Sequence, residues 1–416
     1  MKNKKTILIL FLLICICLIG CSSPIKTSET LSSINTSENT MTMSESNSTT
    51  TSAQKTEDII IENSETFEIE TENETEPIID ETVKLIAVGD NLIHSNVITA
   101  GIQSDGTYNY DMFFENIKED LSTSDIKVIN QETVLINDSN EYSGYPTFGS
   151  PLAIGEAIYN AGFNVVTQAT NHAYDKRQTG LSDSYNFWNQ YEDVTLLGIH
   201  DSQEDYDEIK IITINNITFA MLNYTYGLNG FVLPNDKQYL VDTLYDKEKV
   251  ISDLKKADEL ADFVIVFPHW GTEYVYAPTS YQTEWAQIFA DNGADVIIGT
   301  HPHVVEPVKI ITSADGKEVP CFYSLGNFIS AQSEVPRMLG GMAKVTFRKT
   351  NDGVFIEDYS LEGIVTHLDK NGTITAYKLN EYSEELAQNH KMRAKKGSSF
   401  SYDALDNLFN DITTNY

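Results

Sequence analysis

Side chains able to bind metal ions follow five short apolar runs in this sequence. They are carboxylate, carboxamide and imidazole groups: Asp90 and His94, then Glu132, then Asn171 and His172, then His269, and finally His301 and His303. Nitrogen and oxygen donors in this number exceed what one tetrahedral zinc ion needs, and they suit two divalent ions such as Mn²⁺, Zn²⁺ or Fe²⁺. Two ions about 3.5–4 Å apart clamp a phosphoryl or carbonyl oxygen and lower the pKa of a bridging water. The set therefore predicts a hydrolytic metal centre.

Each of these residues has a simpler interpretation when it is taken alone. A single Asp after a strand often forms a turn, and a single His is often a hydrogen-bonded core residue. His94 reaches the site only if the loop after Asp90 starts a helix. The occurrence of such residues after all five runs favours one shared site. The other three histidines (His200, His367 and His390) follow no such pattern and are left out.

The apolar runs themselves read as buried strands of an α/β sheet. They are Val83–Val88, Lys127–Ile129, Asn164–Val166, Phe263–Phe267 and Val296–Ile298. Because ligand sites in such sheets form where parallel strands end, the polar side chains are expected to meet at one edge.

Helices and hairpins fill the sequence between these strands. Helices are predicted to begin at Ser150, Asp246 and Ser280. Two hairpins are predicted. One pairs residues 209–214 with residues 218–222, and the other pairs residues 343–347 with residues 354–359. The pattern favours mixed sheets, two of them being one option, inside an α/β fold.

Composition divides the 416 residues into four parts. Residues 1–21 form a targeting segment, 22–81 an acidic Ser/Thr/Glu-rich tether without internal order, 82–380 the folded domain, and 381–416 a polar tail with one short helix. The formal net charge of −33 argues against nucleic acid as a partner, because phosphate backbones need a basic surface.

The targeting segment has the features of a bacterial lipoprotein signal. A positive start is followed by an apolar stretch that ends in Leu18-Ile19-Gly20-Cys21, which resembles a lipobox. That resemblance implies lipidation of Cys21, a membrane anchor and an extracytoplasmic location. The alternative is an uncleaved anchor in which Cys21 is incidental.

One ordered series of motifs resembles the CapA family. The matching residues are Gly89-Asp90, Asn130-x-Glu132, Asn171-His172-x-x-Asp175, His269-Trp270-Gly271-x-Glu273-Tyr274, His301-Pro302-His303 and Ser324-Leu325-Gly326-Asn327-Phe328. CapA proteins take part in poly-γ-glutamate capsule synthesis and form a branch of the calcineurin-like metallophosphatase superfamily. The resemblance implies a four-layer α/β/β/α metallophosphatase-like sandwich with mixed sheets and a dinuclear site.

The resemblance also implies roles for individual residues. Asp90 matches the first metal aspartate, Glu132 stands where a bridging aspartate is usual, and Asn171 matches the asparagine ligand. His269, His301 and His303 match the remaining ligands, and His172 matches the histidine that assists the leaving group. The sequence departs from the superfamily in two places. His94 follows Asp90 by four residues instead of two, and Asn130-Gln131-Glu132 replaces the second motif.

Several residues around the predicted centre are expected to contact substrate. They are Asp175, Lys176, Arg177, Trp270, Glu273, Tyr274 and Asn327. Lys176 and Arg177 would hold an anionic group, although solvated loop charges are the alternative interpretation of both.

The leading functional hypothesis is therefore a lipid-anchored, extracytoplasmic protein of the CapA type. It would use two divalent ions to hydrolyse a phosphoester or amide in the synthesis, transport or attachment of poly-γ-glutamate or a related anionic polymer, with membrane-bound synthesis proteins as partners. The first alternative is a non-catalytic scaffold with a structural ion or none. The second is a hydrolase of an unrelated small substrate.

Overall fold

A computed structural model describes residues 78–416. The predicted signal segment, Cys21 and nearly all of the predicted tether lie outside the described residues. Within 78–416, no helix has the length and apolar character needed to cross a bilayer. The first strand begins at Asp80, two residues before the predicted start of the domain at 82.

Sixteen strands and ten α-helices are found within residues 78–416. The strands are β1 (Asp80–Asn91), β2 (Ile126–Asn130), β3 (Leu135–Ile136), β4 (Ser150–Pro151), β5 (Val165–Thr167), β6 (Thr195–Leu197), β7 (Lys210–Ile214), β8 (Ile217–Thr225), β9 (Phe263–His269), β10 (Val296–Ile298), β11 (Val308–Thr312), β12 (Glu318–Phe322), β13 (Asn327–Ile329), β14 (Leu339–Thr350), β15 (Gly353–Leu368) and β16 (Ile374–Lys378). The helices are α1 (Ser95–Ala100), α2 (Lys118–Ser122), α3 (Leu152–Ala161), α4 (Arg177–Trp188), α5 (Gln203–Tyr206), α6 (Lys247–Leu260), α7 (Ser280–Asp291), α8 (Glu384–Asn389), α9 (Lys391–Lys396) and α10 (Tyr402–Asn415).

The strands form two large mixed sheets. An eight-stranded sheet has the order β16-β15-β14-β1-β2-β5-β6, with β13 paired to β1, and a six-stranded sheet has the order β11-β12-β10-β9-β8-β7. Strands are found at all five predicted apolar runs, and α3, α6 and α7 occur where helices were predicted. Both predicted hairpins are present. Asn215 and Asn216 have the positive φ angles of 48° and 56° that a two-residue turn between β7 and β8 requires.

Alternation along each strand separates the layers of the molecule. In β1, Val83, Leu85 and Ala87 pack against β8 and β9 residues in the core between the two sheets. The intervening Ile86 and Val88 face a second core that contains helix α3. The opposite face of the six-stranded sheet packs on α6 and α7 in a third core. The predicted four-layer α/β/β/α arrangement with mixed sheets is confirmed.

The C-terminal residues differ from the predicted polar tail. The sequence predicted one short helix in residues 381–416, whereas three helices form there: α8, α9 and the 14-residue α10. Widely spaced apolar side chains of this segment, including Met392 and Phe400, join a core with Leu339 of β14 and Val365 of β15. The sequence argument missed this because the apolar surface that orders the segment comes from strands distant in the chain.

Truncation of a side chain between the sheets tests this layer assignment. Phe347 is fully buried, and its ring centroid lies 4.9 Å from that of Phe219 and 4.7 Å from that of Phe263. We expect Phe347→Ala to lower the free energy of unfolding by about 3–5 kcal/mol, measured by urea denaturation. The matched control is Phe355→Ala, on a side chain that is 44% exposed, with an expected change below about 1 kcal/mol. Equal losses in the two variants would contradict the assignment.

Acid is expected to weaken the attachment of the C-terminal segment. His390 is fully buried, its Nδ1 accepts from the Met392 amide, and its Nε2 donates to the Thr366 carbonyl. Burial lowers the pKa of His390 from 6.5 to about 4. The unfolded chain therefore binds this proton more readily, so stability falls as the pH drops from 6.5 towards 4.

We expect His390→Asn to lose less stability across that pH window than the wild type, by on the order of 3 kcal/mol in denaturation measurements. His200→Asn is the control. Burial disfavours the charge on His200, but Asp242 and Asp205 outweigh burial and raise its pKa to about 9. Its titration lies outside the acid window, so the acid loss should match the wild type. An unchanged acid loss in His390→Asn would contradict the assignment.

Candidate metal centre

The carboxyl ends of parallel strands from both sheets meet at one edge of the molecule. In the eight-stranded sheet β1, β2 and β5 run parallel, and in the six-stranded sheet β8, β9 and β10 run parallel. Asp90 lies near the end of β1, Glu132 follows β2, and Asn171 follows β5. His269 ends β9, and the loop after β10 contributes His301 and His303. Residues more than 200 positions apart are therefore brought together, as the strand pattern predicted.

Two groups of potential ligand atoms lie side by side at this edge. One contains Asp90, Glu132 and His303, and the other contains Glu132, His269 and His301. Within each group, one ligand atom from each residue lies within 4.8 Å of the others. All five side chains are buried. Glu132 belongs to both groups, so it stands between two potential ion positions.

Glu132 shows most clearly that this cluster fits cations. Its carboxyl group is 1% exposed, and neither carboxyl oxygen accepts a hydrogen bond from the described residues. Its Oε1 atom lies 3.8 Å from Nε2 of His269 and 3.7 Å from Nε2 of His303. Burial raises the pKa of Glu132 well above its ordinary value, although the charge on His303 opposes that rise. Divalent ions on either side would stabilise the ionised carboxylate and leave no oxygen unpartnered.

Asp90 and His303 form the tightest contact in the first group. Asp90 Oδ2 lies 2.9 Å from Nδ1 of His303, and its Oδ1 accepts from Nδ2 of Asn130 at 2.8 Å. Burial disfavours the charge on His303, but Glu132 and Asp90 outweigh burial and raise its pKa to about 9. The negative charge here attracts a proton, and a metal cation would compete for the same place.

His269 and Asn171 join the second group to the loop after β5. Nε2 of His269 lies 2.9 Å from Oδ1 of Asn171, and its Nδ1 lies 3.0 Å from Oγ1 of Thr300. Burial, together with the nearby charge of His301, lowers the pKa of His269 well below its ordinary value. Nδ1 of His301 is buried and has no hydrogen-bond partner among the described residues. Neutral imidazoles of this kind are the form that binds metal.

His172 lies beside the donor groups and not within them. Its Nδ1 atom is 2.7 Å from Oδ2 of Asp175, and the same oxygen accepts from the Phe148 amide. The Phe148 ring packs edge-on against the imidazole at 4.6 Å. Asp175 therefore orients the imidazole of His172. Asp175 was predicted to contact substrate, but in the structure its carboxylate contacts His172.

Asn229 is a site residue that the sequence did not reveal. Its Oδ1 accepts from Nδ2 of Asn171, and its Nδ2 lies 3.3 Å from Nδ1 of His172. The residue has φ of 50°, in the left-handed region, next to Gly230. The Asn-Gly pair predicts a turn, but no sequence signal says which side chains the turn would meet.

The loop after β10 holds His301 and His303 in an unusual backbone conformation. Their φ angles are 98° and 58°, which non-glycine residues adopt only at a cost of about 1–3 kcal/mol each. Buried Asn327 braces this loop, because its Nδ2 donates to the carbonyls of His303 and Arg337. Asn327 is thus a supporting residue, in contrast to its predicted contact with substrate.

The predictions for Trp270 and His94 also need correction. Trp270 is fully buried against α7 and donates through Nε1 to the Tyr323 carbonyl, so it belongs to the core and not to a substrate pocket. Trp270 was predicted to contact substrate because it follows the predicted metal ligand His269 in the sequence. Its side chain instead packs in the core between the six-stranded sheet and α7. His94 lies outside both donor groups, with its Nδ1 3.2 Å from the Leu92 carbonyl.

The predicted substrate contacts at the surface have different environments. Glu273 and Tyr274 are exposed beside His303, and the Arg337 guanidinium stacks on the Tyr274 ring at 3.5 Å. Arg177 is exposed but stacks on the Phe231 ring at 3.6 Å, and Lys176 pairs with Glu141 at 3.3 Å. The two basic side chains already have protein partners.

Removal of the shared carboxylate tests the two-group arrangement. We expect Glu132→Gln to weaken Mn²⁺ binding at both positions at least about 10-fold, because even loss of a residue that only supports a ligand costs that much. The measurement is calorimetric titration of the full chain with MnCl₂.

The matched control is Glu306→Gln, a buried carboxyl outside both groups. Burial raises the pKa of Glu306 to about 8, so it is largely protonated at neutral pH and glutamine replaces it closely. We expect wild-type affinity in this variant. Unchanged Mn²⁺ binding in Glu132→Gln would contradict the arrangement.

Comparison with known proteins places the chain in a family. The sequence profile described as "Bacterial capsule synthesis protein PGA_cap" matches residues 84–332. The "PGA biosynthesis protein CapA" of Bacillus subtilis (strain 168) is 30% identical over 220 residues, covering 52% of this chain and 50% of that protein. The "Capsule biosynthesis protein CapA" of Bacillus anthracis is 27% identical over 279 residues, covering 64% of this chain and 66% of that protein. The matches thus span about half to two thirds of these relatives' length.

Solved structures show distant likenesses. The calcineurin-like phosphoesterase YfkN from Bacillus subtilis has a TM-score of 0.38 at 13% identity, covering 68% of this chain and 90% of that one. The NAD nucleotidase NadN of Haemophilus influenzae has a TM-score of 0.40 at 10% identity, covering 80% and 60%. The family profile spans more than half of the chain and includes every residue of the two donor groups. The chain therefore belongs to the bacterial capsule synthesis protein PGA_cap family.

Proposed function

We propose that this capsule-synthesis family member is a divalent-metal-dependent hydrolase of a phosphoester or amide bond. The observation that carries the proposal is the buried Glu132 carboxylate, which has no hydrogen-bond donor among residues 78–416 and is shared by two groups of nitrogen and oxygen ligands. Asp90, Glu132 and His303 would hold one ion, and Glu132, His269 and His301 the other. Bound Mn²⁺, Zn²⁺ or Fe²⁺ would supply an activated water and polarise the bond to be cleaved.

The chain's own residues provide the proton transfer. His172 binds through Nδ1 to the Asp175 carboxylate, so its Nε2 is the nitrogen that can give a proton to a leaving group. Asp175 and Phe148 fix the orientation of the His172 ring. Asn171 links this acid to the donor groups, since it contacts both His269 and Asn229.

The proposed substrate is poly-γ-glutamate, a related envelope polymer, or a phosphoester precursor of it. The family and the names of the two curated relatives support this proposal. The formal net charge of −33 would repel a polyanion over the surface as a whole, so bound cations are needed to bridge its carboxylates. Arg337, stacked on Tyr274 at the edge of the site, offers one fixed positive charge.

We further propose attachment to the extracytoplasmic face of the bacterial cell membrane through a lipid on Cys21. The basic residues Lys2, Lys4 and Lys5, the apolar stretch and the lipobox-like ending support this location. The acidic residues 22–81 would then tether the domain near membrane-bound polymer-synthesis proteins.

One observation favours a second candidate, a non-catalytic scaffold within the same machinery. His94, which would complete the superfamily's first motif, lies outside both donor groups. In that case the buried cluster would hold a structural ion. A metal-loaded protein without turnover on phosphodiesters and on γ-glutamyl amides would favour this scaffold over the hydrolase.

Substitution of the proposed acid separates chemistry from metal binding. We expect His172→Asn to lower kcat for bis(p-nitrophenyl) phosphate by roughly 10²–10⁴-fold, because a positioned acid contributes that much. Metal content, measured by mass spectrometry on the same samples, should stay at the wild-type value because His172 is in neither donor group.

Asp90→Asn serves as the comparison, since it should lose activity and metal affinity together. Full activity in metal-loaded His172→Asn would contradict the role of His172. If His172→Asn loses both bound metal and activity, His172 would be a metal ligand.

A further inference from the structure

A cavity of about 530 Å³ opens beside the metal centre. Side chains with aromatic faces or hydroxyl groups make up most of its lining: Tyr226, Tyr245, Tyr281, Thr272, Thr279 and Ser280. Its size lies within the range of about 300–1,000 Å³ that is usual for small-molecule sites. Tyr245 and Tyr281 are 67% and 39% exposed, so their rings are accessible from solvent.

Tyr226 connects this cavity to the donor groups. Its ring centroid lies 4.6 Å from that of His301. Its backbone amide donates to the His269 carbonyl at 2.9 Å. A molecule bound in the cavity would therefore place its nearest end at the metal centre.

The floor of the cavity is rigid. Thr279 caps α7 in a reciprocal pair with Gln282, and Gln282 donates in turn to the buried Glu306 carboxyl. Gly271 has φ of 98°, and a Cβ atom there would lie 2.7 Å from the Gln282 side chain. Tyr281 packs edge-on against Trp285. The cavity is thus preformed, as a specific binding site requires.

The chemistry of the lining selects one ligand class. None of the residues that line the cavity carries a charge, whereas a polyanionic segment would need Arg or Lys partners. Leu244 is the single aliphatic side chain among them, which disfavours a hydrocarbon chain. Flat aromatic faces combined with hydroxyl donors and acceptors match a ring that has apolar C–H faces and a polar edge.

We propose, on the basis of the hydrolase function above, that this tyrosine-lined cavity binds a neutral sugar ring of the substrate. The bond to be cleaved then lies at the metal centre, and the adjoining uncharged sugar stacks on Tyr245 and Tyr281. Among the substrates proposed above, this selects a sugar-bearing envelope polymer or phosphoester precursor over poly-γ-glutamate alone, and any anionic part of it lies outside this cavity.

Binding of neutral trisaccharides to the full chain tests the proposal without requiring turnover. Saturation-transfer NMR titrations with maltotriose and triacetylchitotriose should give saturable binding of at least one of them. Tyr281→Ala and Tyr245→Ala should each weaken that binding about threefold to tenfold, because an aromatic contact of this kind is lost. Tyr281→Phe should retain most of it. Tyr145→Ala, on an exposed tyrosine outside the cavity, is the matched control and should bind as the wild type does.

The outcome is independent of the hydrolase assignment. If the protein binds a trisaccharide through the tyrosines but shows no hydrolytic activity, the hydrolase proposal is contradicted and the sugar-site proposal is supported. Three results in a protein that hydrolyses the phosphodiester would overturn the sugar site. They are no binding of either trisaccharide, trisaccharide binding that is unchanged in both tyrosine variants, and tighter binding of adenosine than of either sugar.

Discussion

The site depends on a buried carboxylate, that of Glu132, which accepts no hydrogen bond from the residues that the structure describes. Burying an ionised carboxyl group away from water is costly unless opposite charge or hydrogen-bond donors surround it. The Glu132 oxygens have no hydrogen-bond donor among residues 78–416, and the Nε2 atoms of His269 and His303 lie 3.8 Å and 3.7 Å from Oε1. Cations on both sides of the carboxylate would meet this electrostatic requirement. The hydrolase proposal, including the role of His172 as an acid, depends on that interpretation.

The two-sheet fold provides the geometry for this arrangement. Parallel strands end together at one edge, so residues from five separate strand ends approach one point without long connecting loops. Close approach of the backbone is part of this: a Cβ atom at Gly89 would lie 1.9 Å from the Gly326 carbonyl oxygen. The same carbonyl accepts from the Asp90 amide. Asn327 donates to the carbonyl of His303 in the strained loop after β10, so contacts made by the rest of the fold compensate for strain at the site.

The sequence predicted those features that periodicity and local chemistry determine. Apolar runs located the central strands, Asn215-Asn216 located a hairpin, and the polar residue after each run located the edge where the site forms. Features that depend on long-range packing could not be predicted in this way. Trp270 follows a ligand yet points into the helix layer, and Asn229 reaches the site from a loop whose course no local pattern describes. Met392 and Phe400 order the C-terminal helices only because β14 and β15 offer an apolar surface.

Anomalous X-ray scattering from a crystal of the full chain soaked in MnCl₂ tests the central claim most directly. The account predicts two anomalous peaks that flank Glu132, one bounded by Asp90 and His303 and the other by His269 and His301. Peaks confined to surface carboxylates, with none beside Glu132, would contradict it.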